Sequence, residues 1–221
     1  MWARVHKIDR IKPQPDGSAI VVVEDERNAA AMSRVPGLST VIAVARVLNA
    51  RRVLESKFGG KGEVRYATAA NLPSHLLDAI VRAGGIVTDS TAERVKVPAS
   101  PGAVSSVIDH AMNELAHHVR TNVSASTVKE ALDKVEANRR KAPLDREQNP
   151  AAYWTAVFEL SALAGELSRP QGGMWIETKE MPVPFAIRVA NGKVAMPAKA
   201  AMRIVEGVSF PEESMTDTPP T

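Results

Sequence analysis

The sequence predicts an α+β fold in which antiparallel hairpins pack with helices, in two modules joined by a charged helical connector. Two observations carry that prediction. Runs rich in β-branched residues flank turn sequences, as in Ala19-Ile20-Val21-Val22-Val23 after Pro13-Gln14-Pro15-Asp16-Gly17, and Phe185 to Ala190 before Asn191-Gly192. Longer segments between them repeat apolar residues at helical spacing. Front and back of the chain each mix the two patterns, which favours α+β over a doubly wound parallel sheet.

The elements follow in order. Ala3 to Ile11 and Ser18 to Glu24 read as a hairpin, because proline presets a turn and Asp16-Gly17 tolerates positive φ. The continuous Val run in its second strand suggests burial on both faces. A short helix over 28–34 would be cut by Pro36-Gly37. Leu38 to Phe58 is the most helical part of the front half, apolar nearly all round from Val41 to Leu48, and Gly59-Gly60 stops it. A strand at Glu63 to Thr68 precedes a helix opened by Pro73, with Leu76, Leu77, Ile80 and Val81 on one face. A second hairpin fits Ile86 to Val97, turning at 89–92.

Ser100-Pro101 is a helix start signal. Behind it Val104, Val107, Ile108, Ala111, Met112, Leu115 and Val119 fall on one stripe. Thr127 and Glu130 have capping-box spacing at the start of the next helix, which dissolves into a polar stretch at 138–149. Asn149-Pro150 opens a helix through Leu167, and Pro170-Gln171-Gly172-Gly173 breaks it. A strand at Met174 to Thr178, a hairpin with a type I′ turn at Asn191-Gly192, and a last helix from Pro197 complete the back. The expected organisation is an N-terminal domain over 1–120, a connector over 121–148, a small α-β-β-β-α domain over 149–208 and a disordered tail over 209–221.

Composition narrows the function classes. With 44% hydrophobic and 24% charged residues the chain is of ordinary globular type. Zero cysteine excludes disulfides, a thiol nucleophile and thiolate-ligated metals. No apolar run approaches the roughly 20 residues of a membrane span, and no signal-peptide stretch follows Met1, so a cytoplasmic protein without membrane partners is expected. The net charge of +3 is uneven: residues 1–65 hold 12 Lys/Arg against 7 Asp/Glu, whereas 149–221 hold 6 against 8. A basic front suggests an anionic partner.

Motifs for chemistry are sparse. His110 and His117 share a helix face but lie about 10.5 Å apart, too far for one ion, and His117-His118 diverge around the helix. Gly59-Gly60-Lys61-Gly62 follows a helix instead of opening one, the wrong order for a phosphate loop. Glu24-Asp25-Glu26 reads as a solvated strand end. Glu177-Thr178-Lys179 is the E-x-K of some metal-dependent nucleases, without the strand-borne aspartate that would share the cation. No catalytic residue, metal ligand or cofactor is therefore assigned. The remaining feature is basic: Arg46, Arg51, Arg52, Lys57, Lys61 and Arg65 place six cations within 20 residues and could meet phosphates. Only Phe58 and Tyr66 are nearby to stack bases.

The segment from Glu159-Leu160 through Gly165-Glu166 to Gly172-Gly173-Met174-Trp175, with Pro197 and Arg203 to Gly207, resembles a family of uncharacterised bacterial domains. The resemblance covers residues 152–207. Members occur as accessory or immunity-type proteins, which implies a binding role and carries over no catalytic residue. Physically, Gly165 would let the helix approach the sheet, and Trp175 would anchor the small core. The function expected is that of a non-catalytic accessory protein of a bacterial or phage system, acting on another protein. The alternative is a nucleic-acid-associated protein using the basic helix end at 46–65.

Overall fold

The first sheet begins as a hairpin. In the computed structural model, which describes residues 10–25, 35–68, 72–88, 102–180 and 182–208, β1 (Arg10–Pro13) runs antiparallel to β2 (Ala19–Asp25) with Ile11 opposite Val21. The Asp16 carboxylate accepts from the N–H of Ser18 at 3.0 Å and from its hydroxyl at 2.7 Å. These bonds lower the Asp16 pKa. Gly17 takes φ 80°, a conformation glycine adopts without steric cost.

Two crossovers build the rest of this sheet. Helix α1 (Leu38–Phe58) leads to β3 (Gly62–Thr68), parallel to β2, and α2 (Ser74–Arg82) leads to β4 (Gly85–Thr88), parallel to β3. The strand order is β1-β2-β3-β4. The α+β class holds, with six helices and two sheets among the described residues. The front sheet is mixed instead of wholly antiparallel: among the described residues β1 and β2 form a hairpin, whereas β3 and β4 join in parallel. A helix that must pack back onto its own sheet returns the chain in the same direction, so β2, β3 and β4 run parallel. Residues 1–9, the helix expected over 28–34, the second strand expected by Val97 and the tail expected over 209–221 lie outside the described residues.

Helix α1 is apolar all round because it is covered all round. Every residue from Leu38 to Ala50 is buried, against β2, β3, α2 and helix α3 (Ala103–Asn122). On a further side the Asn49 side-chain amide donates to the Pro182 carbonyl at 2.9 Å. Gly59 ends the helix in the left-handed conformation at φ 60°. In α3 the expected stripe is buried at Val104, Ile108, Ala111, Met112, Leu115 and Val119, with Val107 only partly so. Its N-cap is Gly102; Ser100-Pro101 lies outside the described residues.

Helix α4 (Val128–Lys141) starts at the expected cap. Thr127 Oγ1 accepts from the Glu130 N–H at 3.1 Å, while the Glu130 carboxylate accepts from the N–H and hydroxyl of Ser126, each at 2.8 Å. The return bond thus falls one residue before its place in a capping box. Next come α5 (Pro150–Glu166), a 3₁₀ turn at Arg169–Gln171, β5 (Met174–Glu177), β6 (Phe185–Arg188), β7 (Val194–Ala195) and α6 (Pro197–Val205). The strands form an antiparallel sheet in the order β5-β6-β7. Its second turn is not type I′. The Gly192 N–H bonds the Val189 carbonyl and Gly192 alone takes positive φ, 81°, which is a three-residue loop with a glycine bulge.

One hydrophobic cluster joins Val21 and Val64 through Leu48 and Met112 to Trp154, Trp175 and Ile204. The core therefore has no break at the boundary suggested near residue 149. The connector is docked: Ala131 and Val135 are buried, and the Leu144 N–H donates to the Val205 carbonyl at 2.8 Å. Its charged residues are long side chains at the rim, which composition cannot distinguish from a free linker. No helix among the described residues is long and apolar enough to cross a membrane.

Candidate functional site

The six cations singled out in the sequence do not form one basic face. Arg46 is buried in α1 at 3% exposure. Arg51 is half-buried and donates to the Ala83 carbonyl at 3.2 Å. Arg52 donates to the Glu180 carbonyl at 2.9 Å and pairs with Glu177 at 3.5 Å. Burial lowers its pKa, and Glu177 opposes that shift. Arg65 pairs with Glu63 on β3. Lys57 and Lys61 are exposed. The loop after β5 covers the end of α1 that looks free in the sequence and, with Glu177, ties down Arg52. Tyr66 is 2% exposed and offers no stacking surface.

The histidines on α3 make local contacts. His110 lies 3.5 Å from Glu114, and a His118 ring nitrogen lies 2.8 Å from the Asn122 amide nitrogen. Among the described residues no three His, Asp or Glu side chains are placed to hold a metal ion. Glu177, the acid of E-x-K, is engaged by Arg52. Asp109 of α3 borders the same cleft, but its carboxylate bonds Arg169 at 3.0 Å and the Trp175 N–H at 3.3 Å. Both carboxylates are thus already paired with arginines.

A cleft of about 850 Å³ lies at the amino ends of β2, β3 and β4, floored by Gly62 and Gly85 and rimmed by Arg51, Glu55 and Glu63. Ligands of open parallel sheets bind at the opposite, carboxyl ends. The cleft of greater interest, about 650 Å³, lies between the first turn of α3 and the strands β5 and β6, with Arg51 on its wall. The sheet beside it is oriented by packing. Trp175, 2% exposed, lies so close to Gly165 of α5 that a Cβ there would sit 2.4 Å from the ring. Because side chains alternate across a strand, burying Trp175 and Ile187 turns Met174 and Arg188 outward.

Register then brings three residues into a row. Met174 is opposite Arg188, and Arg188 is opposite Val194. Met174 is 45% exposed, Val194 is 51% exposed, and Arg188 between them is exposed too. The sequence marks none of these as functional. The available signal was Met174, an apolar residue at an outward strand position beside the inward-facing Trp175. No protein-family model, curated protein or solved structure matches the chain.

Proposed function

We propose that the protein works by binding another protein and performs no chemistry of its own, as a cytoplasmic accessory protein of a bacterial or phage system. The observation that carries the reading is the row Met174, Arg188 and Val194, exposed on an ordered sheet and continuous with the cleft at α3. Apolar side chains on a rigid sheet can be covered by a partner at small cost in conformational entropy, and an arginine among them is a common anchor. Support also comes from the two carboxylates bordering the cleft, which are engaged by Arg52, Arg169 and the Trp175 N–H instead of poised for proton or metal chemistry. The system assignment rests on the resemblance of residues 152–207 to accessory and immunity-type domains.

Affinity capture from the native host, with and without nuclease, tests this reading when the wild type is compared with a Met174→Asp, Val194→Asp double variant. The expected result is one or a few proteins held by the wild type, lost from the double variant and indifferent to nuclease. Capture that disappears with nuclease would replace the reading with the nucleic-acid alternative.

A further inference from the structure

Resting on that reading, we propose that the face recognises a partner segment in which a carboxylate side chain is flanked by apolar ones. The charge distribution sets the polarity. The two acids bordering the cleft are already matched, Asp109 by Arg169 and the Trp175 N–H, Glu177 by Arg52. The first turn of α3 contributes no acidic side chain. Arg188 is exposed and makes no ion pair among the described residues, and Arg51, bonded to the Ala83 carbonyl and to no acid among them, borders the same cleft, so the unmatched charge is positive. Ser105 and Ser106 border the same space and can donate to an oxygen acceptor.

Geometry sets the order of the groups. Arg188 lies between Met174 and Val194 in direct cross-strand register, so a carboxylate paired with it has an apolar neighbour on either side. Arg188 can bind that carboxylate through two parallel bonds. A basic segment would bring like charges together at both arginines, which is strongly disfavoured. A phosphodiester backbone would satisfy the arginines but leave Met174 and Val194 against a polar strand, with no aromatic side chain in the row to stack a base.

A random peptide library displayed on phage and selected on the full chain tests the inference without any host protein. Selected peptides should carry Asp or Glu next to Leu, Ile, Phe or Met. A synthetic copy of one should lose affinity by about tenfold or more against Arg188→Glu, and that variant used as bait should select Lys or Arg instead. Unfolding midpoints of the two proteins should agree, because Arg188 is exposed. The inference is overturned if no peptide is enriched, if the enriched ones lack an acid, if reversal at Arg188 changes affinity less than twofold, or if a DNA or RNA oligonucleotide displaces the peptide. Host capture that succeeds while this selection fails would leave the protein-binding reading standing and remove only the acidic–apolar partner.

Discussion

Gly165 and Glu159 lie on α5, less than two turns apart, and illustrate opposite ways in which one atom or one proton matters. At Gly165 an added methyl would meet the Trp175 ring at 2.4 Å and Ile187 at 2.8 Å, both buried and unable to move aside. Gly165→Ala should therefore cost about 1–3 kcal/mol in denaturant unfolding and should weaken any ligand of the neighbouring face, since β5 would shift. Glu159 is 21% exposed with Arg139 at 4.0 Å. Burial raises its pKa, and Arg139 only partly offsets this. With the folded value above the unfolded one, stability is fullest below the ordinary carboxylate range and declines as pH rises through the raised value. Glu159→Gln should raise Tm at pH ~8 and change it little near pH ~4. Thermal unfolding at the two pH values checks this; a drop at the higher pH would mean that Arg139 outweighs burial.

At the scale of elements, α4 shows how a local signal survives into the fold. Thr127 caps it in the expected place, and Thr127→Ala should cost about 1 kcal/mol in denaturant unfolding. Bonds from Lys134 and Ser126 lower the Glu130 pKa to about 2. Because that value lies below the unfolded one, this contribution is present above the ordinary carboxylate range and fades as pH falls toward about 2, opposite in sign to Glu159. Glu130→Gln should accordingly destabilise at neutral pH and lose its effect in strong acid, as followed by circular dichroism. The three-stranded sheet depends on a contact no local signal announces. Asp109 of α3 accepts from the Trp175 N–H and pairs with Arg169, closing the free edge of β5 against the helix. That bridge also forms one wall of the cleft.

For the whole molecule, α3 packs against α1 on one side and against α5 and β5 on the other. A core shared in this way should unfold as a unit. Guanidinium transitions followed by tryptophan fluorescence and by far-ultraviolet circular dichroism are expected to coincide, and residues 149–221 expressed alone should not fold. Limited proteolysis should spare 138–149, where Leu144 is bonded to Val205 and Pro143 lies against Gly207. A stable fragment ending near residue 148 would instead restore the two-module organisation.

Local physics was legible in the amino-acid order. Gly59 ended α1, Thr127 began α4, the stripe from Val104 to Val119 became the buried face of α3, and Gly165 with Trp175 marked a close helix–sheet contact. These depend on backbone conformations and spacings within a few turns of chain. The direction of β3 and β4, the tying of Arg52 to Glu177 and Glu180 and the row across β5, β6 and β7 depend on residues far apart in sequence. Arg52 is basic wherever it stands; only the arrival of Glu177 and Glu180 more than a hundred residues later makes it a structural tie. Met174 and Val194 are likewise ordinary apolar residues until strand register sets them on either side of Arg188 and the buried Trp175 turns all three outward.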